Sequence, residues 1–294
     1  MTKRCSWRGI CAGLITSAMF IWMPYGVAAE KLIWLVRDLA PLTMHDGPNK
    51  DKGLIDHLLP LLIANMPQYE HVIQRVNRAR ALQMLEGSEL ACDPMLVWNP
   101  ARASRIIFSN PILGLRSNGL AIRRSDQALI APFVQDQAID LPAMLSAQAI
   151  QLGVVGKRSY GVWIDDQLSK SPSKPLVFHY GSDALGSLLQ MQQAGRLPTL
   201  LGYWPEIEAK AKQHGLATEE LAFYSILGAP THQTIYAGCN KTPKGQKAIN
   251  EINAVLESLP ADALTSPQTY WTNPGQAEGE QTLTPSGAQR LSVP

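Results

Sequence analysis

The chain has 294 residues, 46% of them hydrophobic, with 26 Lys and Arg against 24 Asp and Glu and a formal net charge of +2. The apolar fraction suits a globular protein with a sizeable core, and the length suits one large domain or two lobes of ordinary size. A charge so close to balance gives no broad field for nucleic acid or an anionic membrane surface, so neither is an expected partner.

Lys3, Arg4 and Arg8 come first, then an apolar run from Ile10 to Met23, then Pro24, Gly26 and the small residues Val27, Ala28 and Ala29. This order predicts a secretory signal peptide over 1–29, cleaved near Ala29, and hence a periplasmic protein. A retained membrane anchor is the alternative, but a spanning helix takes about 20 apolar residues and this run is shorter. Cleavage would remove Cys5 and Cys11 and leave Cys92 and Cys239. On residues alone that pair reads either as a disulfide formed in an oxidising compartment or as two buried thiols.

Beyond the signal, Lys31 to Val36 is strand-like, and a polar loop with Asp46, Gly47, Pro48 and Asn49 follows. Leu54, Ile55, Leu58, Leu59, Leu62 and Ile63 recur at helical spacing. His71 to Ile73 can form a strand, and Asn77 caps a helix that Gly87 stops. Glu89 to Cys92 reads as the next strand, and Asn99-Pro100 opens a helix with Asn at the cap and Pro in the first turn. Leu120 to Ile122 is a strand, and 131–147 is looser. Then come a strand from Ile150 to Val155, a helix through Trp163 and Leu168, a strand from Leu176 to Tyr180, and a helix capped by Ser182. A strand from Leu197 to Leu201, a helix from Pro205 to His214, a strand from Thr234 to Cys239 and an amphipathic helix from Ala248 to Leu259 complete the pattern. Strands alternating with helices imply an α/β protein with helices on both faces of its sheets. The stretch from Gln276 to Pro294 has no apolar period and reads as a disordered tail.

The six histidines form no His-Glu-x-x-His set, and there is no Cys-x-x-Cys pair, so no metal site is expected. Gly-x-Ser-x-Gly and phosphate-loop patterns are missing too, and no cofactor is expected. What the sequence offers is a candidate anion site. Arg102 falls in the first turn of the helix that Asn99 and Pro100 open, where a guanidinium beside free backbone N–H groups makes a carboxylate receptor. A solvated surface arginine is the plainer reading.

Several segments, in order, resemble extracellular solute-binding proteins of family 3, the polar amino acid binders. Ala40-Pro41-Leu42, Gly53-Leu54-Ile55-Asp56, Leu85-Glu86-Gly87 and Asn99-Pro100-Ala101-Arg102, followed by Ile107-Phe108-Ser109-Asn110-Pro111, resemble the first lobe of that family. Gly153-Val154-Val155-Gly156, Ala194-Gly195-Arg196-Leu197 and the segment from Tyr236 to Asn253 resemble the second lobe and the returning chain. The resemblance implies a type II periplasmic binding protein fold. Two Rossmann-like lobes with mixed, mainly parallel sheets would be joined by a two-strand hinge, with lobe 1 over 30–121 and 236–275 and lobe 2 over 122–235.

It implies further that Arg102 grips a ligand carboxylate and that a strand returning from the second lobe lies beside the third strand of the first, bringing Cys92 and Cys239 together as a disulfide. Met95 and Val97 stand where hydroxyl ligands are expected, Pro198 replaces an aspartate, and the acidic partner for an α-ammonium falls near Tyr203. A carboxylate without an ammonium group, or a larger aromatic or peptide-like solute, fits these departures. Arg158, Ser159 and Tyr160, opening a second-lobe helix, join Arg102 as candidate ligand-binding residues, with Asp38, Trp98 and Tyr203 by position. Trp163 and Trp204 are further candidate walls. The implied function is capture of a small carboxylate-bearing or amino-acid-like solute by lobe closure, as a monomer serving an ABC-type permease or a sensor receptor. A dehydratase-like enzyme on the same fold is the alternative, with Asp38 and Asp165 its acidic candidates, and an interaction-only protein is a third.

Overall fold

The computed structural model describes residues 29–260, Pro48 excepted. The expected signal peptide, apart from its last residue, Ala29, and the expected disordered tail lie outside the described residues.

The first strand shows how the sequence builds a covered sheet. In β1 (Glu30–Val36), Leu32, Trp34 and Val36 enter one core and Ile33 and Leu35 another. Alternation with both sets apolar marks a strand buried on both faces. The chain continues through α1 (Leu54–Ala64), β2 (Tyr69–Arg75), α2 (Arg78–Leu85), β3 (Ala91–Val97), α3 (Pro100–Ala103) and β4 (Ile106–Arg116). It then forms β5 (Gly119–Arg123), α4 (Gln127–Ile130), β6 (Val134–Gln135), β7 (Ala138–Ile139), α5 (Leu141–Ala147), β8 (Leu152–Val155), α6 (Val162–Lys170) and β9 (Leu176–His179). After α7 (Ala184–Gln193), β10 (Thr199–Gly202), α8 (Trp204–Gln213) and β11 (Leu221–Ile226), it returns as β12 (His232–Asn240) and α9 (Pro243–Ser258).

Two mixed sheets result. The first has the order β2-β1-β3-β12-β4 and the second β6-β7-β11-β5-β10-β8-β9. In the first, β1 runs parallel to β2 and β3, while β12 runs antiparallel to β3 and β4. Each sheet is covered on both faces. Leu54, Ile55 and Leu58 of α1 and Ala248, Ile249 and Ile252 of α9 share one first-lobe core, and Ala81 and Leu85 of α2 enter the other. In the second lobe, Leu141, Met144 and Leu145 of α5 and Ile164 of α6 cover one face. Leu185, Leu188 and Leu189 of α7 and Ile207 of α8 cover the other.

The lobes meet through two adjacent crossings. The β4–β12 ladder runs up to Arg116 opposite His232, and Ser117 N–H donates to the Thr231 carbonyl at 2.9 Å. β5 opens the second sheet at Gly119 and β12 enters the first at His232, both ahead of the divisions expected at 122 and 236. Cys92 on β3 and Cys239 on β12 face each other in register and form a disulfide, with Cα atoms 4.1 Å apart and a sequence separation of 147.

Some elements differ from the sequence expectation. The third strand runs to Val97 rather than stopping at Cys92. Pro94 has no N–H to give a ladder, and the chain accommodates it where β12 shifts register between Tyr236 and Gly238. The loose stretch over 131–147 contains β6, β7 and α5, whose start was legible: the Asp140 side chain accepts from Ala143 N–H at 2.9 Å, with Pro142 in the first turn. Among the described residues, no helix is long and apolar enough to cross a membrane.

Candidate functional site

The first-lobe wall of the cleft is arginine-rich. Asn99 caps α3 by accepting from Arg102 N–H at 2.8 Å, as the Asn-Pro start predicts. That turn aims the Arg102 side chain back toward β3 and across the cleft. Its Nη1 donates to the Val97 carbonyl at 2.9 Å and its Nη2 to the Lys157 carbonyl of the second lobe at 3.1 Å. Lys157 sits in the left-handed region at φ 60°, uncommon for a residue with a β-carbon. Burial pushes the Arg102 pKa down to about 10, Arg37 adding to the fall while Asp165 and Asp93 oppose it.

Arg37, just past β1, is buried and held by Asp93, from Nε to Oδ2 at 2.9 Å and from Nη2 to Oδ1 at 3.2 Å, with a further bond to the Met95 carbonyl. At the two positions where hydroxyl ligands were expected, backbone carbonyls therefore serve arginines. Arg78 is the first residue of α2. Its Nε is buried without a hydrogen-bond partner, and among the described residues no carboxylate pairs with it. Burial drives its pKa well down, and the charges of Arg37, Arg158 and Arg102 push the same way.

The second-lobe wall balances its own charge. Arg158 donates to Glu206 at 3.0 and 2.6 Å, with the two side chains only 3% and 6% exposed. Burial alone would lower the Arg158 pKa, but Glu206 more than reverses this and keeps the guanidinium charged. Its guanidinium carbon lies 5.3 Å from the Tyr160 ring centre and 5.0 Å from that of Tyr203. Arg158 also reaches Asn118 Oδ1 at 3.4 Å, and Asn118 donates to Gln233 at 3.1 Å. The Tyr203 hydroxyl donates to the same Gln233 oxygen. Polar side chains of both crossings are thus tied to the cleft.

Residues 157–160 are a loop rather than a helix start, because α6 begins at Val162 behind Gly161. Gly161 has φ 100°, and a β-carbon there would lie 2.5 Å from Gln233 Nε2. The loop is held by Asp165, which accepts from the Ser159 hydroxyl and, at 2.7 Å, from Tyr160 N–H. Tyr160 turns inward, its oxygen accepting from Val155 N–H at 2.7 Å, and burial pushes its pKa up to about 12.

Between the lobes, Lys210 of α8 pairs with Asp38 at 2.6 Å and with Asp183 at 3.0 Å, and Asp183 also meets His214 at 2.7 Å. Burial pushes the Asp183 pKa up, but Lys210 and His214 outweigh it and hold the carboxyl low. Burial likewise opposes, and Asp38 and Asp183 reverse, the shift of Lys210, whose pKa is raised.

Two openings result. One of about 250 Å³ is lined by Asn99, Arg102, Lys157, Arg158 and Ser159 among others. The other, about 30 Å³, is lined by Arg37, Asp38, Arg78, Arg158, Glu206 and Lys210 among others. Arg158 borders both. Of the residues singled out from sequence, Arg102, Arg158 and Ser159 face the larger opening, and Asp38 faces the smaller. Tyr160 and Tyr203 flank Arg158. Trp98 is half-buried and lines neither opening, Trp163 packs against the second-lobe core, and Trp204 packs against Phe223 in that lobe at 5.5 Å. Sequence reasoning missed Arg37, Arg78, Glu206 and Lys210, whose positions follow from how the lobes meet. Only Asn77, which accepts from Arg80 N–H at 2.9 Å, marked the turn that presents Arg78.

No family model and no curated protein matches the sequence. Solved structures do match. A histidine kinase sensor domain with similarity to periplasmic binding proteins aligns at TM-score 0.60 and 14% identity, over 78% of this chain and 89% of that one. An amino acid ABC transporter substrate-binding protein from Streptococcus pneumoniae, bound to L-arginine, aligns at 0.57 and 15%, over 83% and 97%. An ancestral amino acid-binding protein, a precursor of cyclohexadienyl dehydratase, aligns at 0.58 and 12%, over 83% and 95%. Two mixed sheets, a double crossing between them and these alignments lead to one conclusion: the chain has the type II periplasmic binding protein fold.

Proposed function

We propose that this protein is a periplasmic solute-binding protein that captures a small carboxylate-bearing solute by closing its lobes on it. The observation that carries this reading is Arg102, whose guanidinium borders the larger opening with no carboxylate of the described residues paired to it. A guanidinium with donors to spare in a closing cleft is suited to bidentate grip on a carboxylate. Arg158 and Ser159 border the same space from the second lobe, so one solute would touch both walls and stabilise the closed form. Asp38, Tyr160 and Tyr203 support the wall rather than touch the solute in this reading. Export over the inner membrane, and delivery to an ABC-type permease or a sensor receptor, complete the proposal. Neighbours of both kinds share the fold.

Mass spectrometry of small molecules released from gently extracted protein identifies the solute. Arg102→Ala then tests the grip: the expected loss by calorimetry is about 2–5 kcal/mol, typical of truncating one side of a buried charge pair. Unaltered affinity would return Arg102 to an ordinary half-buried side chain. N-terminal sequencing of the periplasmic fraction should begin at or near Glu30.

A further inference from the structure

The carboxylates of the cleft are already engaged. Asp93 holds Arg37, Glu206 holds Arg158, Asp38 and Asp183 share Lys210, Asp165 holds the Ser159–Tyr160 loop, and Glu86, on the rim of the larger opening, pairs with Arg105. None is left to receive an ammonium group. Arg78 is in the opposite condition, a half-buried cation whose Nε is buried and orphaned, lining the smaller opening beside Arg37, Arg158 and Lys210. A buried N–H without a partner is costly, and a cation in the first turn of α2 also opposes the helix dipole. Both costs disappear when an anion sits there.

We infer that Arg78 forms a second anion subsite across Arg158 from Arg102, so that the solute is a small dianion without a cationic group, one negative end on Arg102 and the other on Arg78. This rests on the solute-binding reading and adds the ligand class to it. Arg158 borders both openings and lies between the two negative ends. The small volume at Arg78 suits a compact oxyanion, and the graded reach of a dicarboxylate series measures the distance between the subsites.

Calorimetry on the full mature chain with succinate, glutarate and adipate, the monocarboxylates of matching length, and L-glutamate tests it. At least one dicarboxylate should bind about tenfold or more tightly than its monocarboxylate, and L-glutamate should bind worse than glutarate. Arg78→Gln should remove the dicarboxylate advantage and leave monocarboxylate affinity in place, whereas Arg102→Gln should lose both. If Arg102→Gln loses binding but Arg78→Gln leaves the dicarboxylate preference unchanged, the second subsite is overturned and the solute-binding reading survives. Failure of every dicarboxylate overturns the dianion, and failure of the monocarboxylates as well overturns the carboxylate grip. A ligand-free readout completes the test. Arg78→Met should raise the Tm of the solute-free protein by about 2–4 °C, the shift that relief of about 1 kcal/mol gives in a chain this size. A fall in Tm would make Arg78 a structural residue and overturn the subsite.

Discussion

The two walls of the cleft handle charge in opposite ways. The second lobe neutralises itself: Glu206 and Arg158 are buried together, and Asp165 is spent on its own loop. The first lobe pairs Arg37 with Asp93 but leaves Arg78 and Arg102 without carboxylates. One wall is a finished scaffold and the other a set of cations awaiting a counter-charge. The covalent framework is asymmetric too. The first sheet carries the Cys92–Cys239 bond, and the second, built from one contiguous stretch, has no disulfide among its described residues.

Three perturbations separate these regions. The largest effect is expected from Cys92→Ser with Cys239→Ser. The bond joins residues 147 apart in sequence, and for a loop of that length chain-entropy arguments give up to about 5 kcal/mol. Denaturant unfolding should show the loss in the first lobe, and thiol titration of unfolded, unreduced wild type should find neither cysteine free. A wild-type protein with two free thiols would contradict the bond. Next, Glu206→Gln removes one half of a buried pair and should cost about 3–5 kcal/mol, concentrated in the second lobe. A cost below about 1 kcal/mol would mean that Arg158 finds another partner and that the second wall is not self-contained.

The smallest effect belongs to the contact between the walls. Lys210→Met should cost at most about 1 kcal/mol, because Asp38 and Asp183 are each about a third exposed and solvent screens the pair. Its pH dependence identifies it. Asp183 has a depressed pKa in the folded protein, so its contribution is present above the ordinary carboxyl range and is lost as pH falls through the folded value. Lys210 has a raised pKa, so its contribution is present below the ordinary lysine range and is lost as pH rises through the folded value. The difference in stability between wild type and Lys210→Met should therefore be flat near neutrality and shrink at both extremes. A difference independent of pH would assign Lys210 a packing role.

The architecture was largely legible in the sequence and the cleft only partly. Strand and helix periods along β1, α1 and α9 are local, so the residues alone disclose them. Arg102 was legible because Asn99 and Pro100 define its turn from immediate neighbours. Cys92 and Cys239 required the resemblance, since nothing local links residues so far apart. β4 and β11 were not marked as strands. Ser109, Asn110 and Pro111 interrupt the apolar alternation of β4 even though its ladder with β12 continues past them. Arg78 and Lys210 were not legible at all. Each looks like a surface cation in its own amphipathic helix, and its surroundings are completed only when the other lobe arrives, Lys210 gaining Asp38 beside the Asp183 of its own lobe.

The place of β12 in the first sheet sets an order of assembly. A chain that crosses a membrane from its N-terminus emerges in sequence order, and every strand of the second sheet is complete by Ile226. The strand that belongs between β3 and β4 is not made until His232–Asn240, so until then β3 presents an open edge and Cys92 waits for its partner. The lobe encoded in the middle of the message can therefore finish first, and the lobe that begins the protein must finish last.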